Sequence, residues 1–360
     1  MKRSTFLPVD WSLFIPVVIL AAVSLTTLFS LSFQLFFNHA INYILALVVF
    51  LVFSQVDYRL FKPLAKPMYV LSLVLLVIVF IIGYESRGAT RWIDVFGVSV
   101  QLSELLKPFL TLSLAAFLAS GKRNNVKGFI MVFLLSVPVV ILISLQPDLG
   151  NGLVYLGAAA FTLFAFGFPL LWFLLSLVPF IVLSPFIWGI LHEYQRQRLL
   201  TFLHPTSDPL GTSYNVIQAM IAVGAGKLLG RGIGEGTQSG LRFLPERHTD
   251  FIFATISEGF GFVGAGIIIL AFVYLFYRIY RITQRTEDSF SKLFCIGAFF
   301  FLLIHFFVNV GMNLGLVPVV GITLPFVSYG GSSIISSAIF LGILSAVSRE
   351  TVREKVLEIK

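Results

Sequence analysis

Residues 11–56 read WSLFIPVVILAAVSLTTLFSLSFQLFFNHAINYILALVVFLVFSQV, with no Asp, Glu, Lys or Arg anywhere in the run. A membrane-crossing helix needs about 20 apolar residues, so this stretch is long enough to cross a bilayer twice. Five more charge-free runs follow: Pro67–Tyr84, Gly128–Pro147, Leu149–Leu191, Gly259–Tyr277 and Leu293–Ser348. Over the whole chain of 360 residues 58% are hydrophobic and 12% charged, with 39 Phe alone. A soluble globule carries about 25% charged residues and cannot hide this much apolar surface, whereas lipid makes hiding it unnecessary. The expected fold is an all-α polytopic membrane protein.

Breaking the runs at Gly, Pro and polar clusters predicts ten spans, near 12–31, 39–56, 65–83, 103–120, 128–145, 149–166, 169–190, 251–277, 293–312 and 331–348. The first is read as a retained span, since no small-residue cleavage site follows it. An even number of spans puts both termini on one side, and that side then carries 16 of the 25 basic residues. Short loops rich in Lys and Arg stay in the cytoplasm, so both termini are expected there. The charge of +8 is scattered between spans, which does not suit a nucleic-acid surface. Cys295 lies inside a span and gives no disulfide framework, and the five His residues show no metal-ligand spacing. His305, alone in an apolar span, reads as a hydrogen-bonded structural residue.

Segment 191–250, between spans seven and eight, is too long for a connector and too rich in Gly, Pro, Arg and Glu for lipid. Its Tyr214–Val223 stretch has helical spacing and predicts a helix folded back on the membrane surface. The chain is read as a single membrane domain, 1–360, with 191–250 as an extracytoplasmic loop within it.

Ionisable residues at membrane depth are costly and are candidates for function. Glu104 and Lys107, three apart, share a helix face and can pair, structurally or in a site. Asp148, in Gln146-Pro147-Asp148-Leu149-Gly150, suits either a helix N-cap or a site. Asp250 opens span eight as a helix-dipole acid or a reactive one. Glu258 lies eight residues on, about 12 Å deeper at helical rise, so Asp250, Ala254 and Glu258 are expected along one face. After span nine, the uncharged stretch Asn309–Ser333 is crowded with helix breakers, and non-helical backbone at this depth survives only inside protein or along a water-filled cavity. Its Ser328-Tyr329-Gly330-Gly331-Ser332-Ser333 turn offers amide and hydroxyl groups suited to sugar or phosphate oxygens.

The 309–333 stretch resembles the signature of the SEDS proteins (shape, elongation, division and sporulation), the group of RodA and FtsW. Four other blocks agree in order: Gly88-Ala89-Thr90-Arg91-Trp92-Ile93 with Ser103, Glu104 and Lys107; Gln146–Gly150; Arg198 through Thr206-Ser207-Asp208-Pro209-Leu210-Gly211; and Leu244–Ala254. The last block, with Thr237-Gln238-Ser239 before it, is nearer the RodA branch. Departures are Leu102 before Ser-Glu, Ala219 after Gln218, and Gly259 in place of a second acid after Glu258.

The resemblance implies a peptidoglycan glycosyltransferase that polymerises lipid II, the undecaprenyl-pyrophosphate disaccharide peptide, beside a class B penicillin-binding protein. It places the essential acid at Asp250. The leaving group is a pyrophosphate and needs no protonation, so one carboxylate base with nearby cations is a sufficient set, unlike the two carboxylates of a glycosidase. Candidate substrate-binding residues are Glu104, Lys107, Arg196, Arg198, Arg242, Arg247, Ser328 and Ser332. The resemblance fixes no cofactor, and a divalent ion such as Mg²⁺ could assist at the pyrophosphate. Two other classes compete: a lipid II flippase, which predicts ionisable groups at the midplane of a repeated fold, and a non-catalytic scaffold for the crosslinking enzyme.

Overall fold

The computed structural model describes residues 9–86, 89–95, 97–120, 125–205, 208–209, 211 and 213–358. Lys2, Arg3, Arg87, Lys122, Arg123 and Lys360 of the topology count lie outside them, as do Gly88, Thr206, Ser207 and Leu210 of the motif blocks.

The chain opens with α1 (Phe14–Leu31), α2 (Phe33–Gln55) and α3 (Ala65–Ile82). A small antiparallel sheet follows, β1 (Tyr84–Ser86), β2 (Ala89–Val95) and β3 (Val98–Val100), with Ile93 opposite Val100 and Trp92 opposite Tyr84. Next come α4 (Leu102–Leu105), α5 (Lys107–Ser120), α6 (Val126–Leu145), α7 (Leu149–Ala165) and α8 (Leu170–Ile190). Segment 191–250 holds α9 (Glu193–Leu203), α10 (Tyr214–Ala225) and α11 (Thr237–Gly240). The chain closes with α12 (Ile252–Arg285), α13 (Ser289–Asn313) and α14 (Gly331–Glu358).

Helices fall at all ten expected spans, and among the described residues seven are long and apolar enough to cross a membrane. Two expectations change. Span two begins at Phe33, because only Ser32, in extended backbone, separates it from α1. Span four is broken at Leu106, which leaves Lys107 at the start of its own helix. The helix expected at Tyr214 is present as α10.

Burial sorts the helices into centre and rim. α13 packs against α5, α7 and α12, and α14 packs along α2, so their apolar residues are buried in protein. α8 is apolar all round and almost wholly exposed, with Ile181 and Val182 both 69% accessible, the pattern of a peripheral helix whose solvent is lipid. Its Pro179 and Pro185 are tolerated for the same reason as Pro138 in α6: membrane helices re-satisfy the freed carbonyls locally.

α12 is interrupted at Gly261, whose φ of +67° suits only glycine and where an added Cβ would lie 2.3 Å from the Gly230 nitrogen. Backbone groups released there are taken up by the 227–232 loop. Phe262 N donates to Lys227 O at 2.8 Å, and Gly232 N donates to Gly259 O at 3.2 Å.

At the bundle end that holds Asp10 and Ser348, Asp10 ties the turn before α1 to α12 and α14. Its carboxylate accepts from Ser348 Oγ at 2.7 Å and Arg278 Nη2 at 3.1 Å, and from Ser12. Burial alone would raise the Asp10 carboxyl, but these hydrogen bonds and the Arg278 charge outweigh it and hold it below the ordinary 3.8. A carboxyl depressed on folding stabilises above its unfolded value and loses that contribution as pH falls through the folded one. Thermal stability is therefore expected to fall below about pH 3.8, and Asp10→Asn to flatten that part of a melting-temperature profile against pH.

Candidate active site

A cavity of about 470 Å³ opens at the bundle end that carries segment 191–250. β2 brings Arg91 and Trp92 to it, α4 brings Glu104, and the turn into α7 brings Pro147 and Asp148. α9 adds Tyr194 and Arg198, the turn before α12 adds Thr249 and Asp250, and the irregular 318–333 segment closes it with Gly321, Thr323, Tyr329 and Ser332. That segment is non-helical from Pro318 to Leu324, as the crowded helix breakers require.

Asp250 and Arg198 meet at Gly321. A Cβ placed on Gly321 would lie 3.3 Å from Asp250 Oδ2 and 3.9 Å from Arg198 Nη1, so a carboxylate and a guanidinium face the same small volume. Gly321 has φ +73°, and its lack of a side chain leaves that volume open. The Arg198 guanidinium lies over the Tyr194 ring at 5.6 Å, which helps fix its direction.

Asp148 is a hub of the cavity wall. It caps α7 through Asn151 N at 3.3 Å, and accepts from Gln101 Nε2 at 2.8 Å and Asn151 Nδ2 at 2.9 Å. Arg91 Nη1 stands 3.8 Å away. Its oxygens are thus committed to holding β2, α4 and α7 together. Glu104 lines the cavity and pairs with Lys107 Nζ at 2.6 Å. Lys107 lies behind it, 3% accessible, with His305 Nε2 at 2.7 Å.

Of the sequence-derived candidates, Asp250, Glu104, Arg198 and Ser332 line the cavity; Ser332 Oγ also accepts from Gln101 N at 2.9 Å. Arg196 does not: two residues from Arg198 is a rotation of about 200° on a helix, so it points elsewhere and donates to Gly189 O at 2.7 Å. Arg247 donates to Ser239 O, and burial together with the charge of Arg242 pushes its guanidinium below its usual range. Neither Arg242 nor Arg247 lines the cavity. Ser328 is buried, donating to Thr249 O at 2.7 Å and accepting from Leu324 N at 2.8 Å, so it is a brace rather than a ligand. Arg91 and Trp92 stand in one of the motif blocks with no role assigned to them by sequence, and Tyr194 carries no sequence signal of its own; the cavity is lined by all three.

The expected shared face of Asp250, Ala254 and Glu258 is not formed. α12 starts only at Ile252, so Asp250 sits in the turn ahead of it. The Glu258 carboxylate turns to α11, accepting from Gln238 N at 2.8 Å, Ser239 N at 2.9 Å and Ser239 Oγ at 2.7 Å. It satisfies the first-turn donors of that short helix from another helix, where a negative charge is favoured. Glu258→Gln would turn an amide donor toward these donors. With the site fully buried, a loss of about 1–3 kcal/mol is expected, read as a lower melting temperature and faster proteolysis in 226–243.

Among the described residues no group of three His, Cys, Asp or Glu side chains could hold a metal ion.

The chain is similar to known proteins in sequence and in structure. Residues 3–353 match the model of the cell cycle protein family of FtsW, RodA and SpoVE. The peptidoglycan glycosyltransferase MrdB of Escherichia coli K12 is 38% identical over 311 residues, covering 84% of this chain and 82% of that protein. Stage V sporulation protein E of Bacillus subtilis is 37% identical over 302 residues, covering 82% and 81%. Among solved structures, a chain from a peptidoglycan synthase complex that coordinates polymerization and crosslinking superposes with a TM-score of 0.83 at 32% identity, covering 96% of this chain and 99% of that one. The rod shape determining protein RodA of Thermus thermophilus gives a TM-score of 0.73 at 28% identity, with the same coverage.

Proposed function

Because this chain belongs to the cell cycle protein family of FtsW, RodA and SpoVE, we propose that its cavity is the active site of a peptidoglycan glycosyltransferase that polymerises lipid II during cell elongation and shape maintenance. The chain works as one domain of the bacterial cytoplasmic membrane with both termini in the cytoplasm. Segment 191–250 and the cavity then face outward, where the lipid-linked disaccharide is displayed.

In this reading Asp250 takes the proton from the 4-hydroxyl of the acceptor sugar as that oxygen attacks the anomeric carbon of the donor. The C–O bond to the donor's undecaprenyl pyrophosphate breaks, and the pyrophosphate leaves with the bond electrons. A single displacement inverts the α-linked donor to a β-linked strand. Arg198 faces the same volume as Asp250 and suits the developing pyrophosphate charge, with Arg91, 3.8 Å from Asp148, as a second cation lining the cavity. The observation that carries the proposal is the convergence of Asp250 and Arg198 on Gly321 inside an open cavity.

The polymerase works beside a class B penicillin-binding protein, which crosslinks its product. Purified chain, lipid II and that partner, with no membrane gradient, are expected to give glycan strands on a gel. Outward lipid movement without strand growth would instead mark a flippase, and neither activity would mark a scaffold.

A further inference from the structure

The turn that delivers Asp250 is gripped along its main chain by the irregular signature segment and the end of α13. His248 O accepts from Tyr329 N at 2.8 Å, and Thr249 O accepts from Ser328 Oγ at 2.7 Å. Asp250 O accepts twice, from Asn309 Nδ2 at 3.1 Å and Asn313 Nδ2 at 3.0 Å. Both asparagines are fully buried, four apart on one face of α13, and neither lines the cavity.

Each amide makes a further bond. Asn309 Nδ2 also donates to Ile322 O at 2.8 Å, next to Gly321. Asn313 Oδ1 accepts from Ala254 N at 3.0 Å. No side chain of its own caps α12, so Asn313 satisfies a first-turn N–H of that helix from across the fold. One pair of side chains therefore ties the Asp250 main chain, the start of α12 and the Gly321 wall to one another.

We propose that Asn309 and Asn313 are the positioning residues of the catalytic carboxylate, fixing the Asp250 main chain so that its side chain faces Gly321 and Arg198. The inference rests on the reading of Asp250 as the base. Most of the cavity wall, from β2, α4, α7 and α9, lies outside these bonds, so substrate binding should change little. The approach of the base to the acceptor hydroxyl depends on them, and a misplacement of about 1 Å can cost about 10²-fold in rate.

The test uses the full-length chain with its penicillin-binding partner and lipid II as probe. Asn313→Ala and Asn309→Ala are expected to lower kcat by about 10- to 100-fold with KM within about twofold of the unsubstituted protein. Asn313→Asp separates positioning from folding when kcat is taken per folded chain. It keeps an acceptor for Ala254 N at a helix N-terminus, where negative charge is favoured, but loses the donor to Asp250 O and Asn309 O. It is expected to melt lower, because a buried carboxyl then faces two carbonyl oxygens, and to lose kcat by more than its folded fraction at the assay temperature. Unchanged kcat per folded chain in Asn313→Asp would overturn the proposal, as would kcat losses in the alanine variants that merely follow the folded fraction. Asp250→Asn run alongside separates the two claims. If it is inactive while the asparagine variants are normal, only the positioning role fails; if it polymerises at full rate, the base assignment fails and the positioning role with it.

Discussion

Asp250→Asn is expected to abolish lipid II polymerisation while leaving the protein folded and bound to its partner. The carboxamide keeps the shape of the side chain but does not accept a proton, so the loss isolates the base. A positioned general base contributes about 10²–10⁴-fold, and the gel assay should fall by at least the lower figure. The main-chain bonds at Asp250 O are untouched by the substitution, so thermal stability and co-purification should match the unsubstituted protein. Normal strand lengths and rates from this variant would refute the assignment.

Lys107→Met is expected to give the largest loss of stability. The ammonium lies 2.6 Å from Glu104 Oε1 and 2.7 Å from His305 Nε2, and all three side chains are buried. If the lysine donates to Nε2, the ring proton sits on Nδ1 and is given to Thr323 O at 3.0 Å, so the pair also pins the irregular segment above it. Removing the lysine leaves a buried carboxylate uncompensated, at a cost of about 3–5 kcal/mol. Pairing Lys107→Met with Glu104→Gln removes both charges and should recover most of that loss, because buried ion pairs contribute little net stability relative to neutral replacements. Thermal melts of the two single variants and the double decide it: equal melting temperatures for Lys107→Met and the unsubstituted chain would show that the pair is not coupled.

These expectations separate what the sequence made legible from what it concealed. The spans were readable because the cost of burying a charge in lipid writes itself as charge-free runs, and Trp11–Val56 alone announces two helices. Their boundaries were less so. The break near Leu106 has its mark in Pro108, which offers no N–H to the Glu104 carbonyl and which the span boundaries overlooked. The separation of α1 from α2 by the single residue Ser32 instead depends on its backbone angles.

Asp250 could be found because an acid before a long apolar helix is locally unusual. The roles of its neighbours could not. Arg198 and Arg196 look alike in sequence and differ only in the face of α9 they occupy. Glu258 has the helical spacing to share a face with Asp250, but its partners are three donors about 20 residues earlier in the chain. Asn309 and Asn313 reach Asp250 across 59 and 63 residues of sequence, a separation no local pattern reports. Ser328 shows the same blindness in reverse: a hydroxyl in a turn suited to ligands proved to be a brace between two backbone segments.

The most direct test of the carboxylate is chemical rescue. Initial rates of lipid II polymerisation are measured for Asp250→Ala with its partner, with and without added formate, and with formamide as the neutral control. The account predicts no strands from the variant alone, strands that increase with formate, and none with formamide. Polymerisation by Asp250→Ala at the unsubstituted rate, indifferent to formate, would contradict it.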